Sequence, residues 1–148
     1  MKVSAKGRYA LASLLYMVEK SSPDECVTIP TIANALSISK IYLEQTFSLL
    51  KKADIVVSVK GAQGGYQLSS SPEKITCLEI LTATESTLFE QSDFATGGAD
   101  KVLDEILEEQ VFLPLNQQIE NSLATTTLEM LFLKLKERRE SEIYMFYI

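Results

Sequence analysis

The chain offers few of the side chains that usually carry catalysis or bind metals. It has no histidine and only two cysteines, Cys26 and Cys77, in 148 residues. Zinc sites and acid–base catalysis draw heavily on these two residue types. No nucleophile–base pair is visible, and the glycines of GAQGG at 61–65 lack the strand-to-helix context of a nucleotide-binding loop. The sequence therefore argues against an enzyme.

A polar helix face that begins after Ser39 is more informative. Leu43, Phe47 and Leu50 recur at helical spacing and predict a stripe that faces a core. The opposite face combines hydrogen-bonding side chains with cations, and it consists of Ile41, Glu44, Gln45, Ser48 and Lys52. A helix that lies in the major groove of DNA needs a face of this kind.

A short hairpin follows this helix. Residues 55–59 are mostly β-branched and apolar, residues 61–65 contain three glycines, and residues 66–68 return as a second strand. Lys60 stands at the turn, where its ammonium can enter a minor groove, although a surface lysine also suits any hairpin. A helix followed by a glycine-tipped hairpin is the order of a winged helix-turn-helix, so we predict DNA binding.

Two helices are predicted ahead of the polar helix. Ser4 is the expected N-cap of a helix over 4–20, and Thr28 is the expected N-cap of a short helix over 29–36. A two-residue turn leads to Ser39, which we expect to cap the third helix. Two short helices joined by so brief a turn are typical of a helix-turn-helix.

Charge is distributed unevenly along the chain. The net charge is −6, yet residues 1–70 carry eight Lys/Arg against five Asp/Glu, and residues 71–148 carry six against fifteen. A DNA-binding head on an acidic body has this asymmetry, and so does an acidic protein with ordinary charge scatter. Lys6 and Arg8 lie near the start of the first predicted helix, where these cations and the free backbone N–H groups can both bind a phosphate. Each of them taken alone is an ordinary surface charge.

Four segments resemble signature segments of the Rrf2 family of bacterial transcription regulators. They are KGRYAL at 6–11, YLEQ at 42–45, KGAQGGYQL at 60–68, and TTLEML at 126–131, which resembles the family's segment after its dimerisation helix. The resemblance implies a mainly α fold with a small β-hairpin, in which a winged helix-turn-helix is joined to a long dimerisation helix. It also implies a homodimer that binds double-stranded promoter DNA at a dyad-like site.

The resemblance also implies roles for individual residues. Ile41, Glu44 and Gln45 would face base edges in the major groove. Lys60 would stand in the minor groove at a position where members commonly have arginine, so the charge is kept and the planar fork is lost. Asp54 stands where glycine is common and must end the third helix. The predicted DNA-binding set is Lys6, Arg8, Thr28, Ser39, Lys40, Ile41, Tyr42, Glu44, Gln45, Lys60, Gly61, Gln63, Gly64, Gly65 and Tyr66.

Several Rrf2 proteins hold an iron–sulfur cluster through cysteines, with a further ligand such as histidine, in the region that corresponds to residues 86–100. This chain has no cysteine after Cys77 and no histidine. Because thiolates hold such clusters, we predict neither a metal nor another cofactor. Residues 86–100 are polar and are predicted to form a flexible loop between a winged-helix domain over 1–85 and the second half of the chain.

The second half begins with an amphipathic pattern. Apolar residues at spacings of three and four predict dimerisation helices over 101–135, kinked or divided at Pro114. The candidate dimer interface is Phe112, Leu115, Ile119 and Leu123, and the alternative is that they form the core of one chain. We favour the dimer because two recognition helices must lie about 34 Å apart to read half-sites one turn apart.

Residues 136–148 are predicted to form a C-terminal tail that ends IYMFYI. This ending resembles that of Rrf2 repressors of cysteine metabolism that bind the cysteine synthase CysK. The resemblance implies that Tyr147 and Ile148 bind CysK, with the terminal carboxylate replacing that of the amino-acid substrate. Two alternatives stay open. The tail aromatics pack back on the dimer, or the protein mainly holds a metabolic enzyme and binds DNA weakly or not at all.

The two cysteines receive different predictions. Cys26 is a redox candidate because it precedes a helix N-terminus, which favours the thiolate, whereas Asp24 and Glu25 favour the thiol and leave an inert cysteine as the alternative. Cys77 follows a capping box that begins at Thr76 and is expected to be buried. Two cysteines are too few for a disulfide framework, and neither a membrane-spanning run nor a signal peptide is visible, so we expect a cytoplasmic protein.

Overall fold

A computed structural model describes residues 2–90 and 93–147. Within this part of the chain the structure is mostly helical and has a single antiparallel hairpin, which confirms the predicted fold class. The elements are α1 (Ala5–Lys20), α2 (Ile29–Leu36), α3 (Lys40–Lys52), β1 (Val56–Val59), β2 (Gly65–Leu68), α4 (Cys77–Thr84), α5 (Lys101–Leu107), α6 (Leu113–Thr125) and α7 (Leu128–Phe146).

One hydrophobic core joins α1–α4, the hairpin and the start of α7. Leu14, Phe47, Ile80 and Leu128 are fully buried in it. The chain enters α7 beside α4, where the Leu128 N–H donates to the Ile75 carbonyl at 2.9 Å. The first residue of α7 therefore belongs to the core of the winged-helix domain, although the sequence placed it in the dimerisation segment.

The end of α3 is closed by a Schellman motif. Asp54 adopts the left-handed conformation with φ 56°, and its N–H donates to the Lys51 carbonyl at 3.0 Å. The Ile55 N–H donates to the Leu50 carbonyl at 3.0 Å, and both of these side chains are buried. The Ser69 hydroxyl donates to the carbonyls of Asp54 and Ile55. Asp54 therefore takes the expected role at the helix end, and this motif directs the chain into β1.

The start of α3 differs from expectation. Ser39 occupies the N-cap position, but its side chain makes no capping hydrogen bond, so that part of the prediction was wrong. The residue contributes its carbonyl instead, which accepts from the Leu43 N–H at 3.1 Å. Thr28 does cap α2 through its side chain, and the turn between α2 and α3 passes through Ser37 in the left-handed conformation, with φ 53°.

A π-helical turn at Glu108–Phe112 joins α5 to α6. The Leu113 N–H donates to the Glu108 carbonyl, five residues earlier, and Pro114 lies in the first turn of α6. Proline has no N–H to donate, so the α-helical hydrogen-bond pattern is interrupted at Pro114. The π-helical turn lies directly before this interruption. The predicted division at Pro114 is thus a change of helical geometry within a continuous helical segment.

The loop ahead of α5 folds around Asp104, which is only 3% exposed. Its carboxylate accepts hydrogen bonds from the Thr96 hydroxyl at 2.6 Å, the Thr96 N–H at 2.8 Å and the Gly98 N–H at 3.1 Å. The Thr96 hydroxyl is the main cause that holds the pKa of Asp104 below its ordinary value. The sequence predicted a flexible loop over 86–100, and the described part of it carries this hydrogen-bonded turn.

The predicted tail is largely helical, since α7 continues to Phe146. Arg139 on α7 contacts Glu19 on α1, and the side chains from Ile143 to Tyr147 are 60–85% exposed. Ile148 lies outside the described residues, so the prediction that it binds CysK stays a prediction. No helix in the described part of the chain has the length and hydropathy that crossing a membrane requires.

Candidate nucleic-acid interface

The two faces of α3 are separated as the sequence predicted. Leu43, Phe47 and Leu50 are fully buried, whereas Ile41 is 65% and Tyr42 is 53% exposed. Exposed residues that share this side or begin the helix are Ser39, Lys40, Glu44, Gln45 and Ser48. The buried stripe holds α3 on the core, so its polar face is presented to solvent on a rigid support.

The start of α1 lies beside the start of α3. The rings of Tyr9 and Tyr42 are 6.4 Å apart between centroids. Lys6 and Arg8 are exposed in the first turn of α1, which contains no acidic residue. The structure therefore brings two predicted phosphate-binding cations close to the predicted recognition helix.

The wing has a tight glycine turn at its tip. Strands β1 and β2 pair in register from Val56 with Leu68 to Val59 with Gly65. The Gly64 N–H donates to the Gly61 carbonyl at 3.0 Å, and a Cβ added at Gly64 would overlap the Val59 carbonyl. These glycines shape the turn, which leaves Lys60 and Gln63 as its exposed side chains in the predicted set.

The base of the wing is fastened to the rest of the domain. Val27 and Tyr66 exchange backbone hydrogen bonds of 2.9 and 2.8 Å, and a Cβ at Gly65 would lie 2.7 Å from the Val27 carbonyl oxygen. The half-buried Tyr66 ring lies 4.9 Å from the Phe47 ring between centroids. Gly65 and Tyr66 therefore hold the wing in place, a role that the sequence did not distinguish from DNA contact.

Cys26 lies under the wing. It is half-buried, and its Cβ is 3.2 Å from the position that a Cβ on Gly65 would take. Together with Thr28, Gln63 and Gly64 it lines a surface cavity of about 460 Å³. Cys77 is buried in α4 as predicted, and this burial raises the pKa of its thiol. Cys26 is thus partly accessible to solvent, whereas Cys77 is buried.

The candidate dimer residues divide into two pairs. Phe112 is 38% and Leu115 is 55% exposed, while Ile119 and Leu123 are half-buried because α6 packs on α4. Further exposed apolar side chains lie along the same helical segment, and together with Phe112 and Leu115 we call them the apolar strip; they are Val102, Leu103, Ile106, Val111 and Leu113. Exposed apolar surface of this extent is typical of a surface that a protein partner covers.

The sequence did not reveal three contacts that position these elements. Ser4 contacts Glu85, Thr96 contacts Asp104, and Glu19 contacts Arg139. Two of the three join residues far apart in sequence, which periodicity cannot detect. A local signal existed for the first contact, since Gly7 is an unfavourable residue for the interior of α1.

A helix-turn-helix with an exposed polar helix, cations beside it and a lysine-tipped hairpin defines a winged helix-turn-helix DNA-binding protein. Comparison with known proteins identifies the group within this class. The chain belongs to the Rrf2 family, whose profile, described as an iron-dependent transcriptional regulator, matches residues 3–134. The resemblance seen in the sequence is thereby confirmed.

Individual relatives agree with this assignment. The chain is 33% identical over 150 aligned residues to the HTH-type transcriptional regulator CymR of Bacillus subtilis strain 168, and the alignment covers 100% of both proteins. The structure of CymR, the global cysteine regulator of B. subtilis, matches with a TM-score of 0.76 at 29% identity, covering 90% of this chain and 98% of that one. The oxidized form of Staphylococcus aureus CymR matches with a TM-score of 0.68 at 30% identity, covering 89% and 96%.

The family description implies iron, which needs suitable ligand side chains in this chain. Iron–sulfur clusters are held by several cysteine thiolates. The chain has two cysteines, of which Cys26 lies under the wing and Cys77 is buried in α4. The described residues also contain no group of three or more His, Cys, Asp or Glu side chains placed to hold a metal ion. The residues present do not fit a cluster.

Proposed function

We propose that this protein is a homodimeric, cytoplasmic transcriptional repressor that reads promoter DNA with α3 and the wing and uses no iron–sulfur cluster. The observation that carries the proposal is the pairing of an exposed polar face on α3 with a lysine at the tip of a firmly anchored wing. The Schellman motif after Leu50 and the Tyr66–Phe47 contact fix the wing relative to α3. Groove binding requires such a fixed spacing.

Three exposed side chains of α3 suit base edges. The Gln45 amide can pair with the two hydrogen-bonding positions of adenine, the Glu44 carboxylate can accept from the amino group of cytosine, and Ile41 can contact a thymine methyl group. The first N–H groups of α3 receive no side-chain cap from Ser39, which leaves them suited to a phosphate. These roles together give base readout from one short helix.

Phosphate and minor-groove contacts complete the DNA surface. Lys6 and Arg8 project from the start of α1, where they can contact the backbone beside the major groove. Lys60 can enter a minor groove as a single charge without the planar fork of arginine. Because residues 1–70 carry a balance of only +3, we expect moderate, salt-sensitive affinity that depends on two copies of the head.

The apolar strip on α5 and α6 supports the dimer. Phe112 and Leu115 stay exposed in one protomer, and the strip extends back to Val102. Burial against a second copy would remove this apolar surface from water at roughly 25 cal/mol per Å². The acidic second half would then hold the two heads at a fixed distance.

We further propose that the regulated genes serve cysteine or sulfur metabolism, with CysK as a partner. A relative matched over the full chain is described as a global cysteine regulator. The exposed aromatic end of α7 supports a protein partner, because the residues from Ile143 to Tyr147 are uncovered in the protomer. Deleting the last four residues tests this, and unchanged affinity for the synthase would remove the partner from the proposal. Sedimentation of the same variant separates the alternative, in which the tail packs on the dimer.

A second candidate function follows from the same exposed tail. The protein would hold a metabolic enzyme through α7 and bind DNA weakly or not at all. The modest positive charge of the head and the lysine at position 60 favour this alternative.

One experiment separates the two functions. The full chain selects duplexes from a random library, and its affinity for the enriched duplex is measured across a salt titration. The repressor function predicts a dyad-like sequence and a steep salt dependence. The Leu115→Glu variant should be monomeric and bind this duplex weakly, whereas Leu133→Glu on α7, with the same 55% exposure, is the matched control. Recovery of no sequence, or a flat salt response, would favour the second function.

A further inference from the structure

Ser4 at the start of α1 contacts Glu85 at the end of α4. The backbone N–H of Ser4 donates to Glu85 Oε1 at 3.0 Å, and the Ser4 hydroxyl donates to the same oxygen at 2.6 Å. Ser4 is also the N-cap of α1, since its hydroxyl accepts from the Gly7 N–H at 3.4 Å. One carboxylate oxygen of Glu85 therefore holds Ser4, the N-cap residue of α1.

Gly7 makes room for this carboxylate. A Cβ at this buried position would overlap Glu85 Oε1 and would lie 2.7 Å from Val3 Cγ1 and 3.1 Å from Leu81 Cδ2. Glycine inside a helix is unfavourable relative to alanine because it loses more backbone freedom on folding. Gly7 lies at the point where the Glu85 carboxylate approaches the first turn of α1.

The contact lies close to the predicted DNA-binding residues. Lys6 occupies the first turn of α1, and the ring of Tyr9, one turn further on, lies 6.4 Å from the ring of Tyr42 on α3 between centroids. A cleft of about 550 Å³ is lined by Lys6, Tyr9, Tyr42 and Glu85. A shift at Glu85 would therefore move the first turn of α1 relative to the start of α3.

We propose that Glu85 is a positioning residue for DNA binding, which sets where Lys6 and Arg8 meet the phosphate backbone. This inference rests on the proposed function. Glu85 directly follows α4 and is the point at which the chain leaves the winged-helix domain for residues 86–100.

The positioning role differs from a simple charge effect. A carboxylate near DNA repels phosphates, so a charge effect predicts tighter binding when the charge is removed by any substitution. Positioning predicts that Glu85→Gln keeps the affinity, because its amide oxygen still accepts from Ser4, and that Glu85→Ala loses affinity. Gly7→Ala should act like Glu85→Ala, since the added methyl group displaces the carboxylate.

The experiment measures affinity for the duplex that the parent enriches from a random library, at several salt concentrations. We expect Glu85→Ala and Gly7→Ala to bind about fivefold or more weakly, with a salt slope reduced by about one unit for each copy of the head, as one phosphate contact per copy is lost. Glu85→Gln should match the parent. Glu90→Ala, which removes an exposed charge from the following segment, is the control and should also match the parent.

The outcomes separate the inference from the proposed function. If the parent enriches no duplex, the proposed function fails before any variant is compared. If the parent binds and Glu85→Ala binds equally well, or if Glu85→Ala and Glu85→Gln both bind more tightly, the positioning role is overturned. Thermal unfolding of each variant accompanies the titration, and the inference also fails if Glu85→Gln and Glu85→Ala lose affinity equally while both stay folded.

Discussion

Arg139 on α7 and Glu19 on α1 form a bidentate ion pair. The Arg139 Nε lies 2.6 Å from Glu19 Oε1, and its Nη2 lies 3.2 Å from Oε2. The Glu19 side chain is 14% exposed, while that of Arg139 is 54% exposed. The pair ties the charged middle of α7 to the end of α1, so the direction of the exposed aromatic end is set by the winged-helix domain.

Removing this pair should lower stability. We expect Arg139→Ala to reduce the free energy of unfolding by about 1 kcal/mol, because the largely buried Glu19 carboxylate loses both donors of Arg139. The loss is no larger because Arg139 is half exposed, so that solvent already screens the pair in the parent. Arg139→Lys should recover only part of this loss, since lysine lacks the planar fork. Urea unfolding at fixed protein concentration measures both variants. Arg138→Ala, which removes a neighbouring charge, is the control, and an equal effect of the two alanine variants would contradict the assignment.

Gln45 should determine sequence preference. We expect Gln45→Ala to weaken binding to the selected duplex by about 1–3 kcal/mol and to relax the preference at one base pair of each half-site. Competition with single-base variants of the duplex measures this preference. Gln117→Ala, which shortens an exposed glutamine on α6, should leave it unchanged. If affinity falls by the same factor for all the duplexes, Gln45 does not contact a base.

Lys60 should act through charge. We expect Lys60→Ala to reduce the slope of log affinity against log salt by roughly one unit for each copy of the wing, while sequence preference stays the same. Lys60→Arg should bind at least as tightly, because guanidinium suits a narrow minor groove. Lys101→Ala, which removes an exposed cation on α5, is the matched control. Equal slopes for Lys60→Ala and the parent would place the wing away from the duplex.

Asp104 should make stability depend on pH at the acidic end. The hydrogen bonds from Thr96 and Gly98 hold the pKa of Asp104 below its ordinary value of 3.8, so the ionised form is favoured in the folded state. The contribution is therefore fully present above this value and is lost as the pH falls through the lower, folded-state pKa. Asp104→Asn should be less stable than the parent at pH 7, and the difference should shrink below about pH 4.

Urea titrations at a series of pH values test this expectation. Asp93→Asn changes an exposed residue of the same segment and should follow the parent throughout. A difference between Asp104→Asn and the parent that grows on acidification would contradict the assigned direction of the shift.

The two thiols should react differently. Burial raises the pKa of Cys77 and removes it from solvent, whereas Cys26 lines a surface cavity. We expect iodoacetamide to alkylate Cys26 in the folded protein and Cys77 only after unfolding, as measured by mass spectrometry of the peptides. If Cys26 is a redox switch, peroxide should weaken DNA binding by the parent and not by Cys26→Ser. Equal responses of the two proteins would leave Cys26 without that role.

Much of the DNA-binding half could be predicted because its signals are local. The apolar spacing of Leu43, Phe47 and Leu50 and the glycines after Lys60 depend on neighbours along the chain, and the structure confirms both elements. One local prediction failed at the start of α3. Ser39 has a capping side chain, yet only its carbonyl takes part in the start of α3.

The amino-acid sequence by itself determined the helices of the winged-helix half, which face of α3 is buried, and that the chain offers only two thiols, since each follows from composition or from periodicity within one element. It did not show that α7 continues as a helix to Phe146. Only the tertiary structure decided that Glu85 holds Ser4, that Arg139 holds Glu19, and that Asp104 is buried. The physical reason is distance along the chain. The first two contacts join separate elements, and the burial of Asp104 depends on how the preceding loop folds back. A periodic pattern within one element therefore cannot predict them.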